Sequence, residues 1–146
     1  LATVLTPHDG EFERLFPTLL ASANGRLAAA RLASERSGAI LVLKGPGTII
    51  ASPGGIAYVD TEGTSDLGTA GSGDVLSGLL GAILAGAWAC GRRTIDELAE
   101  ATAAAVWLHG AAGRIAAAGA PVVATDIADS VAEAIRLARF GPEHAS

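Results

Sequence analysis

Methionine is absent from all 146 residues and cysteine occurs once, as Cys90. One cysteine excludes an internal disulfide and accords with a reducing compartment. It has no second Cys or His at metal-ligand spacing, which argues against a zinc site or a Cys–His nucleophile. A chain that starts at Leu1 and lacks methionine reads as the later part of something longer. Aromatics make up only 4 %, so any core must be built from Ala, Val, Leu and Ile. Basic residues are few: 10 Lys and Arg against 15 Asp and Glu, for a formal charge of −5. Without a basic cluster, nucleic acid is not an expected partner. Long apolar runs are also missing. The longest, Val75 to Cys90, is interrupted by Ser77 and glycines and falls short of the ~20 residues that span a bilayer. It reads as a buried core helix, and membrane association is not expected. No basic segment followed by an apolar stretch opens the chain, so no signal peptide is visible.

What is present is aliphatic and glycine-rich. Half the residues are hydrophobic and 17 % are charged, a globular composition suited to one domain. The 19 glycines point to tight turns, close helix packing and backbone that approaches a ligand.

The pattern predicts a short strand over Ala2–Leu5 that ends at Thr6-Pro7, then a helical turn over Glu11–Phe16 stopped by Pro17. A helix is expected over Arg26–Arg36, closed by Gly38. Ala39–Leu43 is continuously apolar, as in a strand buried on both faces. Thr48–Ala51 and Ile56–Val59 flank Ser52-Pro53-Gly54-Gly55, a hairpin signal. Residues 60–72 read as loop and Gly73–Ala89 as the apolar helix. Thr94 and Glu97 have the spacing of a capping box, opening a long Ala-rich helix to about Gly119. A last helix is expected over Asp126–Arg139, with Asp126 at its start. This order indicates an α/β fold, with few strands for so many helices.

Three segments have the residues for chemistry. Thr69-Ala70-Gly71-Ser72-Gly73-Asp74 opens directly into the apolar helix. Glycines there let backbone approach a ligand, and the first helical N–H groups lack intrahelical partners. The helix dipole adds partial positive charge, which favours a phosphate. A carboxylate such as Asp74 beside that phosphate can take a proton from a hydroxyl nucleophile. The bland alternative is a glycine turn with an acidic first-turn residue. The segment is not a P-loop, because no Gly-Lys-Ser/Thr follows. Lys44-Gly45-Pro46-Gly47-Thr48 ends the buried strand, the place where open α/β sheets bind ligands. Lys44 can meet a phosphate and Thr48 can donate a hydrogen bond, though on these residues alone a tight Pro-Gly turn with a solvated lysine is the favoured reading. Thr6-Pro7-His8-Asp9-Gly10-Glu11 follows the first strand; His8 there could contact substrate, and Glu11 could serve the helix dipole. His109-Gly110, inside the Ala-rich helix, reads as a helix-packing position.

Taken in order, LTPHDGEFERLF (residues 5–16), LVLKGPGTIIASPGGIAYV (41–59), GTSDLGTAGSGDVLSGLLGAILAG (63–86), AAAVWLHGAAG (103–113) and ATDIADSV (124–131) closely resemble the ADP/ATP-dependent NAD(P)H-hydrate dehydratase family. The resemblance runs from about Leu5 to Arg136. Sugar and vitamin kinases of the same superfamily share only the Gly-x-Gly-Asp element and the general fold. The resemblance implies a ribokinase-like, three-layer α/β/α fold, with residues 1–146 as the C-terminal part of a single domain. It also implies a lyase that repairs a damaged cofactor. The nicotinamide ring of hydrated NAD(P)H is phosphorylated on its C6 hydroxyl by ADP or ATP, and phosphate elimination restores NAD(P)H.

The same resemblance implies residue roles. His8 is the histidine that contacts the hydrated nicotinamide, and Lys44, Gly45, Pro46, Gly47 and Thr48 form the adenine-nucleotide loop. Gly71, Ser72 and Gly73 form the anion hole, with Gly73 touching nucleotide. Asp74 binds substrate and acts as general base. Magnesium is expected as charge neutraliser, with no dedicated protein metal site. A homo-oligomer and a cytoplasmic location are further expectations. Departures exist: the loop near Thr64–Gly68 lacks the family's usual Asn and bulky apolar residue, and Asp66 is out of place near an anionic substrate. A vitamin or thiazole kinase of the same superfamily, or a nucleotide-binding fragment without catalysis, are the alternatives.

Overall fold

Ile40, Leu41, Val42 and Leu43 are all buried, and their side chains divide between two separate cores. Successive strand residues point to opposite faces, so a strand buried at every position needs a layer on each side. The computed structural model describes residues 2–61, 68–118 and 121–141. In chain order it comprises β1 (Val4–Leu5), α1 (Asp9–Leu15), α2 (Leu19–Ser22), α3 (Arg26–Ser37), β2 (Ile40–Leu43), β3 (Thr48–Ala51), β4 (Ala57–Asp60), α4 (Ser72–Ala89), α5 (Ile95–Ala116) and α6 (Ala124–Phe140).

The described strands form one mixed sheet in the order β1-β2-β3-β4. β1 runs parallel to β2, with Val4 opposite Ile40; β2–β3 and β3–β4 are antiparallel, with Val42 opposite Ile50 and Ile49 opposite Val59. On one face Leu41, Leu43, Ile49 and Ala51 pack against Phe12, Leu19 and the alanines of α3. On the other, Ile40, Val42 and Ile50 meet Leu76 and Leu80 of α4 and Leu98, Ala99, Ala105 and Val106 of α5. α6 closes a third cluster with Ile127 and Ala134 against Ala111 and Ala112. Small residues on α3 and α5 let the helices lie close to the sheet, which is how an almost aromatic-free chain fills its interior.

The expected elements are found with shifted ends. β1 is confined to Val4–Leu5 and β4 begins at Ala57. α1 starts at Asp9, ahead of the expected Glu11, because His8 caps it. α2 is an unanticipated single turn. Gly38 closes α3 in the left-handed conformation, as a C-terminal glycine should. The capping box of Thr94 and Glu97 is present at the start of α5, which ends at Ala116, short of Gly119. α6 starts at Ala124, and Asp126 accepts a hydrogen bond from the Val123 N–H.

The expectation of a buried core helix over Val75–Cys90 is corrected. α4 buries Ser72, Leu76 and Leu80, and only 17 % of the helix is buried. One narrow stripe faces the sheet, while a Cβ built on Gly78, Gly81 or Gly86 would meet nothing within 4 Å. By length and composition α4 is the one described helix that could cross a membrane, although its Leu76–Leu80 stripe packs into the sheet core.

Candidate functional site

The parallel pairing of β1 and β2 sends both strands toward the same sheet edge. The Lys44 N–H donates to the Pro7 carbonyl at 2.9 Å, extending that ladder past β1. The turn after β1 and the loop after β2 therefore leave the sheet side by side, at the carboxyl ends where α/β sheets bind ligands.

His8 is the N-cap of α1. Its Nδ1 accepts from the Gly10 N–H at 3.1 Å and the Glu11 N–H at 3.2 Å. A nitrogen that accepts two N–H groups leaves the ring's other nitrogen as the donor, and that Nε2 lies 3.5 Å from Glu11 Oε1. Glu11 returns the cap by accepting from the His8 N–H at 2.9 Å. That bond is the main cause holding the Glu11 carboxyl below its usual value, with lesser help from the charges of Lys44 and Arg14. Glu11 Oε2 also lies 3.8 Å from Lys44 Nζ. The dipole role expected for Glu11 is thus joined by a second one, as the link between the histidine turn and the lysine loop.

Lys44 reaches across to the start of α4. A Cβ built on Gly73 would lie 3.5 Å from Lys44 Nζ. Gly71 is the N-cap of α4 and has φ 85°, in the left-handed region that side chains avoid. No side chain caps the helix; the Ser72 and Asp74 N–H groups turn back to the Thr69 and Gly71 carbonyls at 3.2 and 3.0 Å, and the positive end of the helix dipole and the ammonium of Lys44 share one corner. Asp74 stands exposed in that first turn. Within the loop, Thr48 Oγ1 donates to the Gly45 carbonyl at 3.2 Å, which tightens the turn, and Pro46 is exposed. The expectations for Thr64–Leu67, including Asp66, fall outside the described residues.

Two residues gain a place that sequence reasoning did not assign them. His109, read above as a packing position, is buried on α5 with its Nε2 3.0 Å from the Ser72 carbonyl and 3.2 Å from Ser72 Oγ. The carbonyl only accepts, so Nε2 carries the proton and the ring pins the first turn of α4. Burial is the main cause that lowers the His109 pKa, against the hydrogen bond to Ser72. Arg26 pairs with Asp9, the residue after His8, and donates to the Lys44 carbonyl at 3.1 Å. A histidine and glycine within an alanine run, and an arginine opening a helix, were the only sequence signals for them.

A shallow hollow beside the histidine turn is lined by Leu5, Thr6, Pro7, Glu11, Arg14 and Leu15. Among the described residues, no three His, Cys, Asp or Glu side chains converge as a metal site.

The family model for NAD(P)H-hydrate dehydratase matches residues 1–136. A bifunctional NAD(P)H-hydrate repair enzyme from Gloeobacter violaceus is 47 % identical over 124 residues, which are 85 % of this chain and 22 % of that protein. The ADP-dependent (S)-NAD(P)H-hydrate dehydratase of Neisseria meningitidis is 40 % identical over 137 residues, covering 93 % of this chain and 44 % of the relative. The crystal structure of an ADP/ATP-dependent NAD(P)H-hydrate dehydratase from Bacillus subtilis, co-crystallised with ATP and Mg2+, superposes with a TM-score of 0.77 at 27 % identity. The match covers 92 % of this chain and 47 % of that one, so the chain spans less than half of the relatives it resembles. The mixed sheet between helical layers matches their ribokinase-like fold. On sequence and on fold, the chain belongs to the NAD(P)H-hydrate dehydratase family.

Proposed function

We propose that the protein takes part in the nucleotide-dependent dehydration of hydrated NAD(P)H, as part of a lyase that restores NAD(P)H. The observation that carries this reading is the convergence of Lys44 on Gly73, with His8 and Glu11 alongside. A corner built from an ammonium and the positive end of a helix suits a nucleotide's phosphates. Lys44, Gly45, Pro46, Gly47 and Thr48 then form the nucleotide loop, and Gly71, Ser72 and Gly73 the anion hole. The exposed ring of His8, beside Glu11, is the group that contacts the hydrated nicotinamide in this reading.

Asp74 is the general base. It takes the proton of the ring hydroxyl as the oxygen attacks the terminal phosphoryl group of ADP or ATP, and AMP or ADP leaves. Hydroxide is a poor leaving group and phosphate a good one, so expelling phosphate, with loss of a proton from the neighbouring ring carbon, then restores the ring double bond. Positioning and charge stabilisation do most of the work in such a transfer. Magnesium, when bound, neutralises phosphate charge. A cytoplasmic homo-oligomer remains part of the proposal, since the substrate is a soluble cofactor.

The test uses the complete protein with hydrated NADH, magnesium and either ADP or ATP, and follows the near-ultraviolet absorbance of the reduced ring. A rise with one nucleotide is expected and names the phosphoryl donor. Absence of a rise, with a stable phosphorylated product instead, would replace the reading with a small-molecule kinase. Stoichiometric nucleotide binding with neither product would leave a binding module.

A further inference from the structure

Arg26 opens α3, where a cation is poorly placed for the helix itself. The N-terminal end of a helix has partial positive charge and favours anions, and the N-cap Gly25 supplies no side-chain cap. Its Nε is buried with no hydrogen-bond partner, a further cost. Both costs are offset only by what the rest of the guanidinium holds. Nη1 pairs with Asp9, directly after His8, while Nη2 donates to the carbonyl of Lys44 at 3.1 Å. A Cβ on Gly45 would lie 2.7 Å from Nη2, so the glycine leaves room for the fork. The two arms join the turn that presents His8 to the strand end that presents Lys44, in addition to the Glu11–Lys44 contact.

We propose that Arg26 is a positioning residue: it fixes the Lys44–Thr48 loop against the His8–Glu11 turn and so holds the nucleotide loop and the substrate histidine in register. This rests on the nucleotide reading of the loop given above. A lysine cannot replace it, because one ammonium does not reproduce two donors in a rigid fork.

The experiment measures ADP binding by calorimetry, and steady-state kinetics with hydrated NADH, in the complete protein and its Arg26→Lys variant. Thermal unfolding is recorded for both. The expected result is a folded variant whose Kd and KM for ADP rise about tenfold, the weight of one charge-assisted hydrogen bond. An arginine needed only for folding would lower the active fraction, which reads as reduced kcat with unchanged KM; that outcome overturns the proposal. Should Arg26→Lys not fold, Asp9→Asn loosens one arm alone and is expected to raise the ADP KM by a smaller factor. An unchanged KM in that variant would equally refute the role. If the wild-type protein binds neither ADP nor ATP, the nucleotide reading fails and Arg26 falls with it; wild-type binding with indifferent variants removes Arg26 alone.

Discussion

Lys44 Nζ stands 3.5 Å from where a Cβ on Gly73 would be, although the two residues belong to separate segments and to different elements. The distance is an ordinary contact, so an alanine would fit sterically, yet its methyl would fill the corner between the ammonium and the helix N–H groups. Gly71 has a left-handed φ and admits no such exchange.

Gly73→Ala is therefore expected to separate folding from binding. An alanine in a helix is worth up to about 1 kcal/mol over glycine, so thermal stability should hold or rise slightly. ADP affinity should fall by roughly tenfold, from one displaced charged contact. Calorimetry and a thermal melt on the same preparation check both; undiminished ADP affinity would place the phosphates elsewhere.

Asp74→Asn addresses the chemical step. The carboxylate is exposed in the first turn of α4 and takes no part in the cores that hold the sheet. The variant should fold and bind ADP like the wild type, while kcat falls by about 10²–10⁴, the usual weight of a general base. Single-turnover rates at saturating ADP measure this directly. Wild-type turnover would remove Asp74 from the base role.

Much of this was legible in the residues because local chemistry decided it. Apolar Ala39–Leu43 could hardly be anything but a strand covered twice, and Thr94 with Glu97 fixed the start of α5 through its cap. The three loops were visible as ligand-type segments, but their meeting was not, since it depends on Val4 pairing in parallel with Ile40. Arg26 and His109 were missed for a related reason: each acts through a partner far away in sequence, Lys44 and Ser72. The α4 expectation differs from the structure because, among the described residues, only the stripe of Ser72, Leu76 and Leu80 is buried.

Glu97 supplies a test distant from the site. It accepts hydrogen bonds from Thr94 and Arg93, with the Thr94 N–H the largest cause, and its pKa is lowered to about 2. A depressed carboxyl stabilises the fold above its unfolded value and loses that contribution as pH falls toward the folded one. Glu97→Gln should thus be less stable than wild type at neutral pH, with the gap closing between about pH 4.5 and 2. Paired denaturant titrations across that range are the check, and ADP binding at neutral pH should be unchanged. A gap independent of pH would show that the charge on Glu97 contributes nothing.

His109 ties acid stability to the first turn of α4. Its ring faces Ser72, with Asp60 and Lys44 as the charges that act on it, and burial is the main cause that lowers its pKa. The unfolded chain therefore binds a proton near the ordinary imidazole value of about 6.5, while the folded chain resists it to lower pH. Stability from this group is complete above that value and declines as pH drops below it, because protonation favours the unfolded state. His109→Gln keeps a side-chain N–H for the Ser72 carbonyl and removes the titration; it should lose less stability than wild type between neutral pH and about pH 5.5. His109→Leu leaves Ser72 Oγ buried without its partner, at a cost of about 1–3 kcal/mol, and frees the first turn of α4. ADP affinity should then fall in His109→Leu and be largely kept in His109→Gln. Equal ADP affinity in both would mean that the ring packs against Ser72 without setting the geometry of the helix start.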